Sequence, residues 1–335
     1  MELQHALNLL LQRLTDIQEQ CQNKFPIYAM NNKPWFASSG GSWVGGFWAG
    51  CWWLRALITQ DAADLTQAQT IAQSLASKLE ANTINRSLIF WYGLALGQDT
   101  ATQDLLKQAA NVFAQSYDPE LQCIPVGTDM GGGKNGNQEI SIDSLAAVIS
   151  LLAEHETIAR QHLDTLLNAL STESGAFHAH AHFENGTFHS HDIAGNWSRG
   201  QAWAMLGLVT GAKHWGEPYL SHAKTACDYW LSSRMNTIPK NQLDQTDDMI
   251  DASAAVIASV ALLSLSELTQ DETYAKHAKQ SIVNVLNSDY FENGIFWGCC
   301  YKINQTEVEL VETTWGSYFL MWALTTLLKP MIVKT

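Results

Sequence analysis

Hydrophobic and polar positions along the chain repeat one pattern six times. A polar or aromatic entry leads into a helix of small apolar residues, and amphipathic helices with a polar face lie between these segments. The apolar segments begin roughly 45 to 65 residues apart, near the size of a two-helix repeat. They start at Ser42, Arg86, Ser141, Asn196, Asp251 and Thr313.

The two kinds of helix predict two layers. A helix that is apolar on every side belongs in the interior, whereas a helix with one apolar stripe covers it. The amphipathic helices are predicted over residues 5–20, 65–80, 100–115, 154–171, 221–235 and 271–287. Six interior and six exterior helices in alternation predict an all-α fold, an (α/α)6 toroid or six-hairpin barrel. We expect one domain over residues 1–335.

One segment breaks the helical pattern. The stretch "GAFHAHAHFENGTFHSHDIAG", residues 175–195, alternates histidine with apolar residues around an Asn-Gly pair, which predicts a short β-hairpin insertion. Its histidines are His178, His180, His182, His189 and His191. Because no carboxylate or cysteine stands at ligand spacing, we interpret them as hydrogen-bonding groups and predict neither a metal nor another cofactor.

The predicted topology gathers polar groups at one end of the ring. Antiparallel hairpins make all interior helices point the same way, so their N-termini surround one mouth. The stretch "NWSRGQAWAML", residues 196–206, brings a guanidinium, an amide and two indoles there. Such groups are costly to bury without partners, and a convergent set of them predicts a binding site. The set also contains Trp43, Arg86, Ser87, Asp143 and Asp251.

Composition and net charge limit the classes of molecule that the protein is expected to bind. The chain is 46% hydrophobic and 16% charged, which is typical of a folded globular protein. Its net charge of −14 argues against nucleic acid and anionic membranes, because the long-range field would repel both. A small anionic substrate held by local arginines is compatible with this charge, and the composition allows a homo-oligomer.

Cysteine usage and the N-terminus point to a cytoplasmic location. The six cysteines lack the spacing of a zinc site and are interpreted as reduced thiols, with the neighbours Cys299 and Cys300 as filling residues. The N-terminal segment predicts an amphipathic helix without the basic region of a signal peptide. No apolar run is expected to span a membrane.

The motifs at the predicted mouth resemble those of the unsaturated glucuronyl hydrolases, glycoside hydrolase family 88. The shared stretches are "WVGGFW" from Trp43, Ile142–Asp143, Phe177–His178, "WSRGQAW" from Trp197, "DASAA" from Asp251 and "WGSYF" from Trp315. The resemblance covers most of the chain and implies the same (α/α)6 fold. It also implies a glycoside hydrolase that hydrates the C4–C5 double bond of a terminal unsaturated uronic acid on lyase-generated oligosaccharides.

The resemblance implies roles for single residues. Asp143 matches the general acid/base, which protonates C4 and activates water for C5 before the hemiketal collapses and releases the neighbouring sugar. Arg199 would bind a carboxylate, since a guanidinium offers it a planar pair of donors. The matches to substrate-contacting positions are Trp43, Ser87, His189, Arg199 and Trp203, with supporting positions at Arg86, His178, Asp192, Gln201 and Asp251.

One stretch departs from the family pattern. Where the family carries His-Asp-x-x-Phe at the start of the second interior helix, this chain has "RSLIF". Arg86 and Ser87 therefore replace a histidine and an aspartate that helps to bind the sugar. Because of this change, the identity of the substrate and the activity itself do not follow from the resemblance. In an alternative interpretation, Arg86 faces a different anion such as a sulfate.

Structural roles and other functions compete with this interpretation. Asp143 and Asp251 would each serve as an N-cap of the following helix. Arg199 would form a salt bridge with Asp143 or Glu139. A sugar isomerase or 2-epimerase with paired histidines would use the same toroid, and so would a sugar-binding protein that has lost its chemistry.

Overall fold

The structure is a computed structural model that describes the chain except residues 23, 32, 235–237, 305 and 329–335. Two sequence predictions therefore end outside the described residues, namely the exterior helix that reaches residue 235 and the last seven positions of the domain. The described part contains twelve α-helices. In chain order they are α1 (Leu3–Cys21), α2 (Gly45–Thr59), α3 (Ala62–Ser74), α4 (Arg86–Leu94), α5 (Thr100–Ala114), α6 (Leu145–Leu151), α7 (Glu156–Leu170), α8 (Ser198–Trp215), α9 (Tyr219–Ser233), α10 (Ala252–Thr269), α11 (Glu272–Leu286) and α12 (Thr314–Leu328).

The even-numbered helices form an inner ring. Each packs against the next even-numbered helix, and α12 packs against α2. Every residue of α6 is buried, and most residues of the other inner helices are buried as well. The odd-numbered helices lie outside, with α3 on α2, α5 on α4, α7 on α6, α9 on α8, α11 on α10 and α1 on α12. The predicted α/α toroid is therefore confirmed.

Helix α10 departs from one expectation. By length and composition it is apolar enough to cross a membrane, although no such run was expected from the sequence. In this fold 67% of its 18 residues are buried, because its sides contact α8, α11 and α12. An interior helix with packed neighbours on every side has the same composition as a membrane span.

Glycines set the spacing between α2 and α4. A Cβ atom on Gly46 would lie 2.5 Å from the carbonyl oxygen of Leu88, and one on Gly50 would lie 2.7 Å from that of Tyr92. Both distances are well inside van der Waals contact. The two inner helices can approach this closely only because these positions carry no side chain.

The described residues also form three antiparallel sheets, which are more extensive than the predicted hairpin. The strands are β1 (Phe25–Met30), β2 (Phe36–Ser38), β3 (Glu139–Ser141), β4 (His180–Glu184), β5 (Thr187–His189), β6 (Phe291–Glu292), β7 (Ile295–Phe296), β8 (Cys299–Lys302) and β9 (Val308–Thr313). The predicted hairpin is β4–β5, and β3 joins it in the order β3-β4-β5. A four-stranded sheet in the order β2-β1-β9-β8 was not predicted and joins the two ends of the chain.

We expect Gly46→Ala to lower the free energy of unfolding by about 2 kcal/mol, despite the better helix propensity of alanine, because the added methyl group pushes α2 away from α4. Chemical denaturation measures this loss. Gly40→Ala is the matched control, since its Cβ would meet only the flexible end of Lys78. Equal stabilities of the two variants would contradict the close-packing argument.

Candidate active site

The N-terminal ends of the inner helices α2, α8 and α12 lie close together and form the mouth of the ring. Trp43 lies in a short 3-10 turn before α2, and its ring centroid is 4.9 Å from that of Trp315 at the start of α12. The Arg199 guanidinium, from the first turn of α8, lies 5.7 Å from the centroid of Trp315. The predicted convergence of helix N-termini is therefore seen for these three helices.

Arg199 is held in one orientation. Its Nη1 donates to Asp251 Oδ2, to the carbonyl oxygen of Cys300 at 2.8 Å and to Ser253 Oγ at 3.4 Å. The guanidinium also lies 5.1 Å from the centroid of Trp197. All three hydrogen bonds leave from Nη1, so within the described residues Nε and Nη2 have no hydrogen-bond partner. The predicted salt bridge to Asp143 or Glu139 is wrong, because the partner is Asp251.

Asp251 is the N-cap of α10, as one sequence interpretation proposed. Its Oδ1 accepts from the Ser253 backbone N–H at 3.1 Å, from Ser253 Oγ at 2.5 Å and from the Cys300 backbone N–H at 3.3 Å. The residue is fully buried. Burial is the largest single effect and acts to lower the pKa of Arg199. The neighbouring acidic groups, led by Asp251, together outweigh it and raise that pKa, so the guanidinium keeps its charge.

Asp143 lies between β3 and α6, and one of its two carboxylate oxygens lacks a hydrogen-bond partner. Its Oδ1 is buried and has no hydrogen-bond partner among the described residues. Burial raises the pKa of Asp143, against the opposing effects of His180, Arg199 and a hydrogen bond with Ser141. The N-cap of α6 is Ser144, and no side chain caps this helix. The structure thus does not use Asp143 as a cap, and its raised pKa suits a general acid.

The polar face of the β3-β4-β5 sheet begins beside Asp143. Cross-strand pairing places Ser141 opposite His180, and Glu139 opposite His182. The His180 ring stacks near Trp197 with centroids 6.3 Å apart, and His182 Nδ1 lies 2.8 Å from Glu139 Oε1. The described residues hold no cluster of three or more His, Cys, Asp or Glu side chains that could bind a metal ion.

Two predicted residues fix the base of the hairpin. His178 Nδ1 lies 2.9 Å from the carbonyl oxygen of Asp192, and Asp192 Oδ2 accepts from the Ala179 backbone N–H at 2.7 Å. His189 is exposed on β5, opposite His182. Its contact with substrate stays a prediction.

Arg86 and Ser87 do not face the mouth, which corrects their predicted roles. Arg86 is 5% exposed and donates to the carbonyl oxygen of Leu79 at 2.6 Å and to Ser116 Oγ, outside the inner ring. Ser87 is fully buried and donates to the carbonyl oxygen of Ile84 at 2.8 Å. Neither residue can meet a ligand at the mouth, because both side chains are consumed by packing around α4.

Gln201 and Trp203 also differ from their predicted roles. Gln201 is fully buried, accepts from the Phe177 backbone N–H at 3.0 Å and donates to the carbonyl oxygen of Gly175 at 2.9 Å. It anchors the start of the hairpin segment. Trp203 is 3% exposed and packs edge-on against Phe319 with centroids 5.2 Å apart, so it is no open platform for a sugar. Trp43 is partly exposed and keeps that role.

A cavity lies near the other end of the inner helices. Its walls include Trp91 and Trp322, and its ionisable lining groups are Tyr92, Lys213 and His214. No carboxylate is present among the described residues that line it.

Named proteins with sequences similar to this chain were found. No protein-family model matches the chain. It is 25% identical to the unsaturated glucuronyl hydrolase of Formosa agariphila, over 74% of this chain and 69% of that protein. It is 22% identical to the unsaturated chondroitin disaccharide hydrolase of Streptococcus pyogenes, over 96% of this chain and 90% of that protein. The chain is similar to unsaturated glucuronyl hydrolases.

Solved structures establish the fold more firmly. A UGL variant with dGlcA-Glc-Rha-Glc matches with a TM-score of 0.88 at 18% identity, over 99% of this chain and 98% of that one. The unsaturated glucuronyl hydrolase of Bacillus sp. GL1 matches with a TM-score of 0.86 at 18% identity, over the same shares. At this identity the likeness shows the α/α toroid and leaves the chemistry to the site itself.

We expect Asp143→Asn to stabilise the fold, and more so at high pH. A raised pKa means that the folded protein holds this proton more tightly than the unfolded chain does. That contribution to stability is present at low pH and is lost as pH rises through the folded-state pKa. Asparagine lacks this titration, so its gain in the free energy of unfolding should be on the order of 1 kcal/mol at about pH 8 and smaller at about pH 4.

Thermal unfolding at both pH values measures this difference. Asp104→Asn, on the exposed side of α5, is the matched control. A loss of stability in Asp143→Asn at high pH would show that the carboxylate has a structural partner.

Proposed function

We propose that this protein is a glycoside hydrolase that releases a terminal unsaturated uronic acid from an oligosaccharide by hydrating its C4–C5 double bond. One observation carries the proposal. Asp143, which has one carboxylate oxygen without a hydrogen-bond partner, is close enough to the immobilised Arg199 guanidinium for each group to act on the pKa of the other. The names of the similar proteins support the same class of substrate.

Arg199 binds the substrate carboxylate in this proposal. Its Nη1 is already bonded to Asp251 and Cys300, so the side chain cannot swing away, and its remaining N–H groups are directed to a ligand. Charge-assisted hydrogen bonds to a planar carboxylate are the strongest contacts such a site can make. Trp43 covers one side of the sugar ring with an apolar surface.

Asp143 then acts twice. In its protonated form it gives the proton to C4, and the positive charge that develops at C5 is shared with the ring oxygen. The resulting carboxylate accepts a proton from water as the water oxygen bonds to C5. The hemiketal at C5 opens to a ketone as the bond from C5 to the ring oxygen breaks, which leaves a hemiacetal at C1. This hemiacetal collapses to an aldehyde and releases the neighbouring sugar as an alcohol. Burial of Asp143 supports the first step, because it keeps the acid protonated at higher pH.

A single carboxylate suffices for this sequence of steps. Ser87, where the family pattern has a second aspartate, is buried against Ile84 and adds no charge to the mouth. Arg199 and His180 act on the pKa of Asp143 in the opposite direction to burial. They stabilise the carboxylate that forms once the proton has been transferred.

Asp143→Asn should lower the hydration rate by at least about 100-fold, since the amide can neither give a proton nor accept one. The assay follows the loss of ultraviolet absorbance of the conjugated double bond in lyase-generated disaccharides. Asp104→Asn serves as the control. If Asp143→Asn retains most of the activity, Asp143 is not the acid/base.

The same assay separates the competing functions. A sugar epimerase would leave the absorbance unchanged and exchange solvent deuterium into a saturated sugar. A binding protein would do neither, yet its thermal stability would rise with ligand.

Arg199→Lys should raise KM for the unsaturated disaccharide about ten-fold with a smaller change in kcat, because lysine keeps the charge but loses the planar pair of donors. Lysine also leaves Asp251 with a cationic neighbour, so the fold is less disturbed than in an alanine variant. Arg160→Lys, on the exposed surface of α7, is the control. An unchanged KM would remove the carboxylate-binding role from Arg199.

A further inference from the structure

A row of aromatic rings leads from the mouth to the protein surface. From Trp315, which contacts Arg199, the Tyr301 ring lies 5.4 Å away, centroid to centroid. Tyr28 lies 5.2 Å from Tyr301, and Phe36 lies 5.4 Å from Tyr28. We call Tyr301, Tyr28 and Phe36 the aromatic strip. It crosses the four-stranded sheet that the helical pattern of the sequence did not predict.

Strand register places the strip on one face of that sheet. Tyr28 pairs with Phe36 on β2 and with Thr313 on β9, and Tyr301 pairs with Glu309 on β9. Cross-strand partners project to the same side, and so do alternate residues of one strand. The strip therefore lies on the face that carries Thr313, immediately before Trp315 and the mouth.

Exposure increases along the strip away from the mouth. Trp315 is fully buried, Tyr301 and Tyr28 are partly exposed, and Phe36 is 58% exposed. A large aromatic side chain costs free energy when it is held in water, and among the described aromatic rings Phe36 stacks on Tyr28. An exposed apolar surface continuous with a binding site is typical of a ligand-contact region.

The charge of this face favours an uncharged ligand. Among the described strand residues on the face, Glu309 is the one charged side chain. Lys33 lies in the turn between β1 and β2, and Lys302 projects to the opposite side of β8 from Tyr301. A sulfated or carboxylated sugar would find no cation on this face of the described strands and would be repelled by Glu309.

We propose that the aromatic strip binds the neutral sugars that follow the terminal uronate in the substrate. Sugar rings present apolar C–H faces, which pack on aromatic side chains, while their hydroxyl groups stay in water. The inference rests on the proposed function, because it places the uronate at Arg199 and the rest of the oligosaccharide along the sheet. The protein would then prefer longer oligosaccharides, in which neutral sugars follow the uronate, over sulfated disaccharides.

The test measures binding and does not depend on turnover. In the Asp143→Asn background, calorimetry compares the tetrasaccharide dGlcA-Glc-Rha-Glc with the disaccharide dGlcA-Glc. We expect the tetrasaccharide to bind about five-fold more tightly, and Phe36→Ala to reduce that ratio to about one. Phe36→Tyr should restore the ratio, because it returns the ring. Leu65→Ala, a 44% exposed apolar residue on α3, is the control and should leave the ratio unchanged.

Two results would overturn the proposal. One is a tetrasaccharide-to-disaccharide ratio that Phe36→Ala does not change, including a ratio of one in the parent protein. The other is tighter binding of the sulfated disaccharide dGlcA-GalNAc6S than of dGlcA-Glc. If the proposed function itself is wrong, a different result is expected. The wild-type protein would then leave the ultraviolet absorbance of every unsaturated substrate unchanged.

Discussion

The buried ion pair between Arg199 and Asp251 is the interaction on which the mouth of the ring depends. Asp251 caps α10, accepts from the backbone of β8 at Cys300 and holds the guanidinium of α8, so one carboxylate joins three elements. Removal of one partner from a buried pair costs about 3–5 kcal/mol, because the other charge remains without compensation. The pair therefore fixes the orientation of Arg199 at the same time as it stabilises the start of two inner helices.

Asp143 differs from Asp251, because one of its carboxylate oxygens is buried without a hydrogen-bond partner. Most buried polar groups in a native protein have a hydrogen-bond partner, yet Asp143 Oδ1 has none within the described residues, although Ser141 and Arg199 are close enough to affect its pKa. A carboxyl group left in this state costs stability. The cost is retained where a raised pKa is useful, as at the centre of a site that must deliver a proton.

The sequence predicted the helical layers because their signal is local, whereas the site depends on rotation around a helix and on distant pairing. Arg199 and Trp203 are four residues apart and share a face of α8, but Gln201 is two residues from Arg199 and points about 200° away, into the hairpin anchor. Gln201 was assigned to the site because it stands close to Arg199 in the motif, but its side chain lies on another face of the helix. The sheet β2-β1-β9-β8 was missed because β1 and β9 pair across nearly the whole chain, although the alternation in "VELVET" was a visible strand signal.

That same long-range pairing explains why the mouth forms only in the complete fold. Helix α12 closes the ring on α2, and β9, which leads directly into α12, pairs with β1. This closure is what brings Trp315 to Trp43 and Tyr301 to Tyr28, since each pair joins a residue from the first part of the chain to one from the last. Contacts so distant in sequence carry a large loop-closure entropy, which the packing of the complete ring must offset. The contacts that close the toroid are therefore the ones that form the aromatic wall of the site.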